Sequence, residues 1–157
     1  MGKFQIDQSG KIEQTNKNTV LCLSNDEWDA VLIKARSKRQ IQEIFRRNGQ
    51  IRNYVIFTFS AGLSLLIKRN LEIQRIIIDR EYYGKEAVIK EVLLKMLSRR
   101  KVPEIVFENI GRKTQAHNRA YLIYSKKLKS KRLLLLRVEE ILREIKMTEV
   151  GKRLKNA

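Results

Sequence analysis

The segment from Ile73 to Glu81, IQRIIIDRE, constrains the fold more than any other part of the chain. Its three consecutive isoleucines, Ile76 to Ile78, lead directly to Asp79 and Glu81. A continuous β-branched run is typical of a strand that is buried on both faces of an α/β sheet. In such sheets, binding sites usually form at the carboxyl ends of the strands. We therefore expect the two acids to lie at this edge, the alternative being a buried strand that simply ends in polar residues.

The remaining chain alternates strand-like and helix-like segments. Strands are predicted over 3–9, 18–24, 51–59, 73–79 and 104–109, and helices over 26–47, 63–70, 84–100, from 115 through 124, and 130–147. Residues 63–70 have a returning strand as their alternative. This order predicts an α/β fold, with a mixed central sheet of about five strands and helices on its faces.

Local signals set two of these boundaries. Ser24 and Glu27 have the spacing of a capping box, which starts the first helix at about Asp26. Residues 51–59, IRNYVIFTF, are rich in β-branched and aromatic side chains and are therefore predicted to form a strand.

The C-terminal part is predicted to be a helical extension. Residues 1–127 would form the α/β domain, and residues 128–157 a basic extension packed on it or on a partner. The row of leucines from Leu133 to Leu136 wraps most of a helix circumference, so one side needs additional burial. A homodimer through this helix is therefore one candidate assembly. Residues 150–157 are predicted to be a frayed tail.

The charge of the chain indicates a polyanionic partner. The 157 residues contain 34 Lys and Arg against 17 Asp and Glu, a formal net charge of +17. Residues 111–157 alone hold 14 basic against 4 acidic residues. Such an excess is typical of nucleic-acid-binding proteins. The candidate phosphate-binding residues lie in three basic segments and are Lys38, Arg39, Arg112, Lys113, Arg119, Lys126, Lys127 and Lys129.

Composition also argues against a transmembrane protein and against a disulfide-bonded protein. No window of about 18 apolar residues is present, so no transmembrane span is expected. An anionic membrane surface is a weaker candidate partner than nucleic acid, because no segment combines a large apolar face with interfacial aromatic residues. The single cysteine, Cys22, cannot form an internal disulfide and is expected to be a small core residue. A cytoplasmic protein is the resulting expectation.

Three residues on separate elements form the candidate catalytic set: Asp7 in the first strand, Asp79 at the end of the buried strand, and His117 on the helix after the last strand. Two carboxylates at one sheet edge are compatible with a bound Mg²⁺ or Mn²⁺, which prefers oxygen ligands, and Glu81 or Glu108 would add a further ligand. Asp7 and Asp79 must lie within about 10 Å of each other to share an ion. His117 would assist proton transfer.

These residues also carry a family resemblance. The stretch IDQSGKIE resembles the opening hairpin of the ribonuclease H-like superfamily, and Asp79 resembles its second acid position. The stretch AHNRAY is similar to the C-terminal catalytic helix of its resolvase and ribonuclease H branches. The resemblance implies a ribonuclease H-like fold over about residues 3–127 and a metal-dependent nuclease. Ala120 stands where that helix would carry an acid.

Three functions follow from these observations. The first is a divalent-metal-dependent nuclease acting on RNA, DNA or a hybrid. The second is a non-catalytic nucleic-acid-binding protein with the same fold, and the third is an α/β interaction protein that dimerises through its C-terminal helix. Four tyrosines near the candidate site are expected to pack rather than to stack on bases, namely Tyr82, Tyr83, Tyr121 and Tyr124.

Overall fold

The computed structural model describes residues 3–25, 27–98, 101–111, 115–124 and 132–155. The strands in these ranges are β1 (Phe4–Ser9), β2 (Thr19–Ser24), β3 (Trp28–Ile33), β4 (Arg75–Asp79), β5 (Glu104–Glu108) and β6 (Leu133–Leu135). The helices are α1 (Ala35–Arg47), α2 (Tyr54–Lys68), α3 (Glu86–Leu97), α4 (Gln115–Tyr124), α5 (Val138–Ile145) and α6 (Glu149–Lys152), and a single 3₁₀ turn (Ile51–Asn53) precedes α2. None of the helices in the described ranges is long and apolar enough to cross a bilayer.

The strands form one mixed sheet in the order β5-β4-β1-β2-β3-β6. The first three strands are an antiparallel meander. β4 is parallel to β1, β5 is parallel to β4, and β6 is parallel to β3. The predicted α/β class and mixed sheet are confirmed, with six strands instead of about five.

Helices cover both faces of the sheet. On one face, Ile6, Ile76 and Ile78 belong to the main core, to which α1, α2, α3 and α5 also contribute. On the other face, α4 packs on β1 and β2 and forms a smaller cluster in which Ala120 joins Val20 and Cys22. The two layers explain why the β4 isoleucines are buried without alternation.

The predicted first helix is wrong in its first third, because residues 28–33 form β3. This strand pairs with β2 along its whole length, from Trp28 opposite Ser24 to Ile33 opposite Thr19. Six paired residues bury more surface and make more backbone hydrogen bonds than one capped helical turn, so the ladder overrides the Ser24 capping signal. The helix begins instead at Ala35, whose N–H donates to Asn18 Oδ1 at 2.9 Å.

The strand predicted over 51–59 is also wrong, because residues 54–68 form α2. This helix is buried on nearly every side, including Phe57, Phe59 and Leu63. A continuous apolar run fits a central buried helix as well as it fits a buried strand, and length decides between them. At Gly62 the helix approaches β2 so closely that a Cβ atom would lie 2.7 Å from Leu21 Cδ1. Helix is thus the correct alternative for most of residues 63–70.

The C-terminal residues belong to the same core as the sheet. The predicted helix over 130–147 is wrong in its described first half, where Leu133–Leu135 form β6 beside β3. Leu136, Ile141 and Ile145 are buried in the main core. The row from Leu133 to Leu136 is therefore not part of a helix that needs a partner helix for its burial. The tail is not frayed up to Lys155, because Leu154 is buried and Lys155 N–H donates to Asn48 Oδ1 at 2.8 Å.

A buried lysine holds the connection between β1 and β2. Lys38 is fully buried, and its Nζ donates to Lys11 O at 3.0 Å, Gln14 O at 2.7 Å and Thr19 Oγ1 at 3.0 Å. Burial lowers the pKa of this ammonium to about 8. Its three N–H groups are used inside the protein, so the predicted role of Lys38 in phosphate binding is wrong.

Replacing Lys38 by Met is expected to destabilise the protein by about 2 kcal/mol or more, because three buried acceptors would lose their donor. Urea unfolding of the two proteins measures the difference. The matched control is Lys34→Met in the same turn, where the side chain is exposed and a change within about 0.5 kcal/mol is expected. Equal effects of the two substitutions would contradict a structural role for the buried ammonium.

Candidate functional site

The register of β1 and β4 brings the two predicted aspartates together. Ile6 lies opposite Ile78 in this parallel pair, so the next residue on each strand is Asp7 and Asp79, respectively. Equivalent positions on adjacent strands point to the same face. Both side chains therefore lie at the carboxyl end of the central strands, on the face that α4 covers.

Glu81 completes a cluster of three carboxylates. The chain turns sharply after β4, and Glu81 N–H donates to Asp79 O at 3.0 Å. One carboxylate oxygen from each of Asp7, Asp79 and Glu81 lies within 4.8 Å of the other two. The distance condition for a shared ion is thereby met for three acids, including the first and second predicted ligands.

His117 contacts this cluster from α4. Its Nδ1 lies 2.6 Å from Asp7 Oδ2. The helix is held in place by Ala116 and Ala120, which are fully buried on the sheet side, while His117 is partly exposed. The sequence thus placed all three candidate catalytic residues correctly at one site, although they come from β1, β4 and α4.

Backbone N–H groups orient the two aspartates. Asp7 is only 2% exposed, and its Oδ1 accepts a hydrogen bond from Gln8 N–H at 2.8 Å. Asp79 Oδ1 accepts one from Ile110 N–H at 2.7 Å, just beyond β5. Each carboxylate oxygen has two lone pairs, so these bonds leave acceptor capacity for a cation.

The pKa values of two acids in the cluster are raised. Burial and the neighbouring Asp79 raise the pKa of Asp7. Burial, together with the hydrogen bond and the charge of Asp79, raises the pKa of Glu81 to about 8. Near neutral pH, Glu81 therefore holds a proton when no cation is bound. A divalent ion would replace that proton and remove the repulsion between the acids.

Glu108 does not take part in the cluster, contrary to its prediction as a metal ligand. It lies opposite Asp79 on β5, but its side chain is exposed and is outside the group formed by Asp7, Asp79 and Glu81. It is two strands away from Asp7, a distance of about 10 Å at ordinary strand spacing. The turn after β4 delivers Glu81 to the cluster instead.

The predicted phosphate-binding residues occupy different environments. Arg39 is exposed on α1, and its Nη1 donates to Thr15 O at 2.8 Å. Arg119 lies on α4, and its side chain is outside the described part of the structure, as are Arg112, Lys113, Lys126, Lys127 and Lys129. Two of these basic segments immediately precede and follow α4 in the chain.

Two of the four tyrosines that were predicted to pack are exposed, and the side chain of Tyr124 lies outside the described part of the structure. Tyr83 is 68% exposed and Tyr121 is 52% exposed. Tyr82 does pack, with its ring 5.0 Å from that of Phe59 in an edge-on contact and its hydroxyl 3.1 Å from Glu13 Oε2. The sequence could have indicated an exposed ring here, because Tyr82 and Tyr83 are adjacent directly after Glu81 and one of two adjacent residues usually faces outward.

Clefts also occur at the opposite edge of the sheet. One has a volume of about 590 Å³ and is lined by residues at the start of β1 and β4, including Phe4, Ile73 and Arg75. The acids lie at the other end of these strands, so this cleft is separate from the carboxylate cluster.

Comparison with known proteins adds no family to this geometry. No protein-family model, no curated protein and no solved structure matches the chain. The function of the chain is therefore inferred from the residues of the site and from the net charge.

Proposed function

We propose that this protein is a nucleic-acid-binding, divalent-metal-dependent nuclease that cleaves phosphodiester bonds in RNA, DNA or a hybrid. The observation that carries the proposal is the approach of Asp7, Asp79 and Glu81 to within 4.8 Å, with His117 in contact with Asp7. Three acids and an imidazole converge from distant parts of the chain at the carboxyl edge of the sheet. Such a set suits the chemistry of a metal-assisted hydrolase.

The donor set fits Mg²⁺ or Mn²⁺. Three carboxylates supply hard oxygen ligands, and Mg²⁺ typically adds waters and a substrate phosphate to a small number of protein oxygens. Burial and the neighbouring acids raise the pKa values of Asp7 and Glu81, and a bound cation would offset the repulsion that contributes to both shifts. A bound ion would polarise the phosphoryl oxygen and lower the pKa of an attacking water.

His117 is placed to assist in proton transfer. The contact with Asp7 fixes the orientation of the imidazole ring. An imidazole nitrogen can accept or donate a proton, so this side chain can exchange one with a water or a leaving oxygen near the acids.

A ribonuclease H-like fold is part of the proposal. The resemblance implies an acid in the first strand of a hairpin, a second acid at the end of a strand that precedes a helix, and a later helix that completes the site. Three placements support this part of the proposal: Asp7 lies in β1, Asp79 ends β4 before α3, and His117 on α4 contacts Asp7. Ala120, at the position where the helix would carry an acid, is fully buried against the sheet, and Glu81 would provide the third carboxylate instead.

Nucleic acid is the substrate class that the charge favours. The formal net charge of +17 is concentrated in the C-terminal third, in segments that precede and follow α4 in the chain. Basic segments of this kind attract a polyanion and bind its phosphate backbone.

The second candidate is a non-catalytic nucleic-acid-binding protein with the same fold. Ala120 is the specific observation in its favour, since a helix without an acid leaves the site with fewer ligands than the resemblance implies.

A cleavage assay tests the proposal. Single-stranded, duplex, hybrid and branched substrates are incubated with Mg²⁺, Mn²⁺ or EDTA, and the products are separated by size. Cleavage with either ion and none with EDTA is the expected result. Binding that weakens steeply with salt, without any cleavage, would contradict the nuclease and favour the binding protein. Affinity that does not depend on salt would contradict both.

The acid cluster should also make stability depend on pH and metal. The folded pKa of Glu81, about 8, is above its unfolded value of 4.5. Between these two pH values the folded state binds one more proton than the unfolded state. The free energy of unfolding of the metal-free protein therefore falls as the pH rises from 4.5 to about 8. After allowance for partial exposure, we expect a fall of about 1–2 kcal/mol that Glu81→Gln abolishes.

Urea unfolding between about pH 5 and pH 8, with and without Mg²⁺, measures this effect. Bound Mg²⁺ should reverse the fall, and its affinity should rise with pH because binding displaces the Glu81 proton. The matched control is Glu108→Gln, whose carboxylate lies outside the cluster. A wild-type pH dependence that survives Glu81→Gln would show that another group causes it.

A further inference from the structure

We propose that Tyr83 is a nucleobase-stacking residue beside the acid cluster, and that the substrate therefore presents an unpaired base next to the reacting phosphate. The chemical class is single-stranded or locally unpaired nucleic acid rather than a continuous duplex. This inference rests on the proposed function and narrows its substrate.

Tyr83 is tied to the same two chain segments that hold the acids. It follows Glu81 by two residues, and its hydroxyl donates to Asn109 Oδ1 at 2.9 Å. The neighbouring Ile110 N–H is the group that donates to Asp79 Oδ1. The Tyr83 side chain therefore connects the segment after β4, which carries Glu81, to the segment after β5, which contacts Asp79.

The ring is both exposed and held in place. Tyr83 is 68% exposed, the highest value among the large hydrophobic side chains in the described residues. Backbone at one end and the bond to Asn109 at the other restrict its motion. An aromatic face that is already ordered loses little conformational entropy when a base stacks on it.

Stacking on a protein ring requires a base with a free face. In a continuous duplex, each base is covered above and below by its neighbours, so side chains stack on bases in loops, bulges, ends and single strands. Tyr121 is also exposed, at 52%, and lies about one helical turn after His117 on α4. The net charge of +17 favours a nucleic acid over a protein as the occupant of these rings.

Equilibrium binding of a labelled oligonucleotide of about 12 nucleotides tests the stacking role. The single-stranded DNA and RNA forms are titrated by fluorescence anisotropy in Ca²⁺, in place of Mg²⁺. Tyr83→Ala and Tyr83→Leu should each weaken binding by about 5- to 100-fold, since both remove the π face. Tyr83→Phe and Tyr83→Trp, which keep an aromatic ring, should stay within about threefold of wild type.

The control variant is Leu94→Ala, an exposed apolar residue on α3 that should leave affinity unchanged. A Tyr83→Leu protein that binds as tightly as wild type would overturn the stacking role, because leucine keeps apolar bulk without a ring. Wild-type affinity in Tyr83→Ala would overturn it as well.

Abasic substitution separates stacking from a structural effect. One base at a time is removed along the oligonucleotide, and affinity is measured for wild type and Tyr83→Ala. We expect one position at which the missing base weakens wild-type binding and at which Tyr83→Ala causes no additional loss. If Tyr83→Ala lowers the affinity by the same factor at every abasic position, the residue acts without contacting a base and the inference is wrong.

Cleavage in Mg²⁺ distinguishes this inference from the proposed function. Preferred cleavage of the single strand, with a loss of that preference in Tyr83→Ala, supports both. Equal cleavage of single strand and duplex by wild type and Tyr83→Ala overturns the stacking role and keeps the nuclease. Binding that depends on Tyr83 without cleavage overturns the nuclease alone, and the absence of any binding overturns both.

Discussion

Replacing Asp79 by Asn is expected to lower metal-dependent cleavage by at least about 10³-fold, because one of the three carboxylates of the site loses its charge. One oxygen of Asp79 lies within 4.8 Å of one oxygen of Asp7 and one of Glu81. The amide oxygen of Asn can still accept the hydrogen bond from Ile110 N–H. Turnover of the preferred substrate in saturating Mg²⁺ measures the loss.

Stability should move in the opposite direction to activity. Burial and then the Asp79 charge raise the pKa of Asp7, so removal of that charge relieves the repulsion between these two aspartates in the metal-free protein. We therefore expect Asp79→Asn to be at least as stable as wild type without metal, and to gain less stability when Mg²⁺ is added. A variant that simply misfolds would lose activity and stability together.

The matched control for this substitution is Glu108→Gln. Glu108 lies opposite Asp79 in the β4–β5 pair but outside the carboxylate cluster. Its activity should remain within about threefold of wild type, since its carboxylate binds no metal in the proposed site. Full activity in Asp79→Asn, or an equal loss in Glu108→Gln, would contradict the assignment of the metal ligands.

Replacing Gly151 by Ala is expected to destabilise the protein by about 3 kcal/mol or more, because the new methyl group has no space. A Cβ atom at this position would lie 1.8 Å from Ile145 O and 2.7 Å from Lys146 Cα. Both atoms are backbone at the end of α5, so relief requires α6 to move away. Thermal and urea unfolding report the change.

Displacement of α6 should also release the C-terminal contacts. Thr148 Oγ1 accepts the Gly151 N–H, Leu154 is buried, and Lys155 is hydrogen-bonded to Asn48 at the end of α1. Hydrogen exchange at Lys155 should therefore accelerate in Gly151→Ala. The control is Gly111→Ala, where no atom of the described residues lies within 4 Å of the new Cβ and stability should change by less than about 0.5 kcal/mol. Equal stability of the two variants would contradict the close approach at Gly151.

Local patterns were sufficient for the elements that carry the site. The isoleucines of β4, the hairpin of β1 and β2, and the apolar stripe of α3 each lie close to their predicted bounds. In these segments, the fold buries the residues that the hydrophobic periodicity predicts to be buried. Their intrinsic secondary-structure propensity also favours the element that forms. The positions of Asp7 and Asp79 at strand ends followed from those elements.

Local patterns failed where tertiary burial opposed them. The 51–59 segment has strand composition but is the start of a helix enclosed by the core, and the Ser24 capping signal precedes a strand rather than a helix. The leucines from Leu133 were assigned to a helix, although the edge of β3 pairs with them. Each error concerns a tertiary or strand partner that outweighs a local preference of about 1 kcal/mol or less. The partner is the neighbouring strand β2 in the case of β3, and it is distant in sequence in the case of β6.

The sequence by itself determined which side chains are able to hold a cation and which strand carries Asp79. Only the tertiary structure decided that β1 pairs with β4, which aligns Asp7 with Asp79 across about 70 residues of chain. It also selected Glu81 over Glu108 and turned Tyr83 outward beside the acids. The physical reason is that periodicity reports the environment of each residue separately, whereas a site is a set of distances between residues that meet only after the sheet has formed.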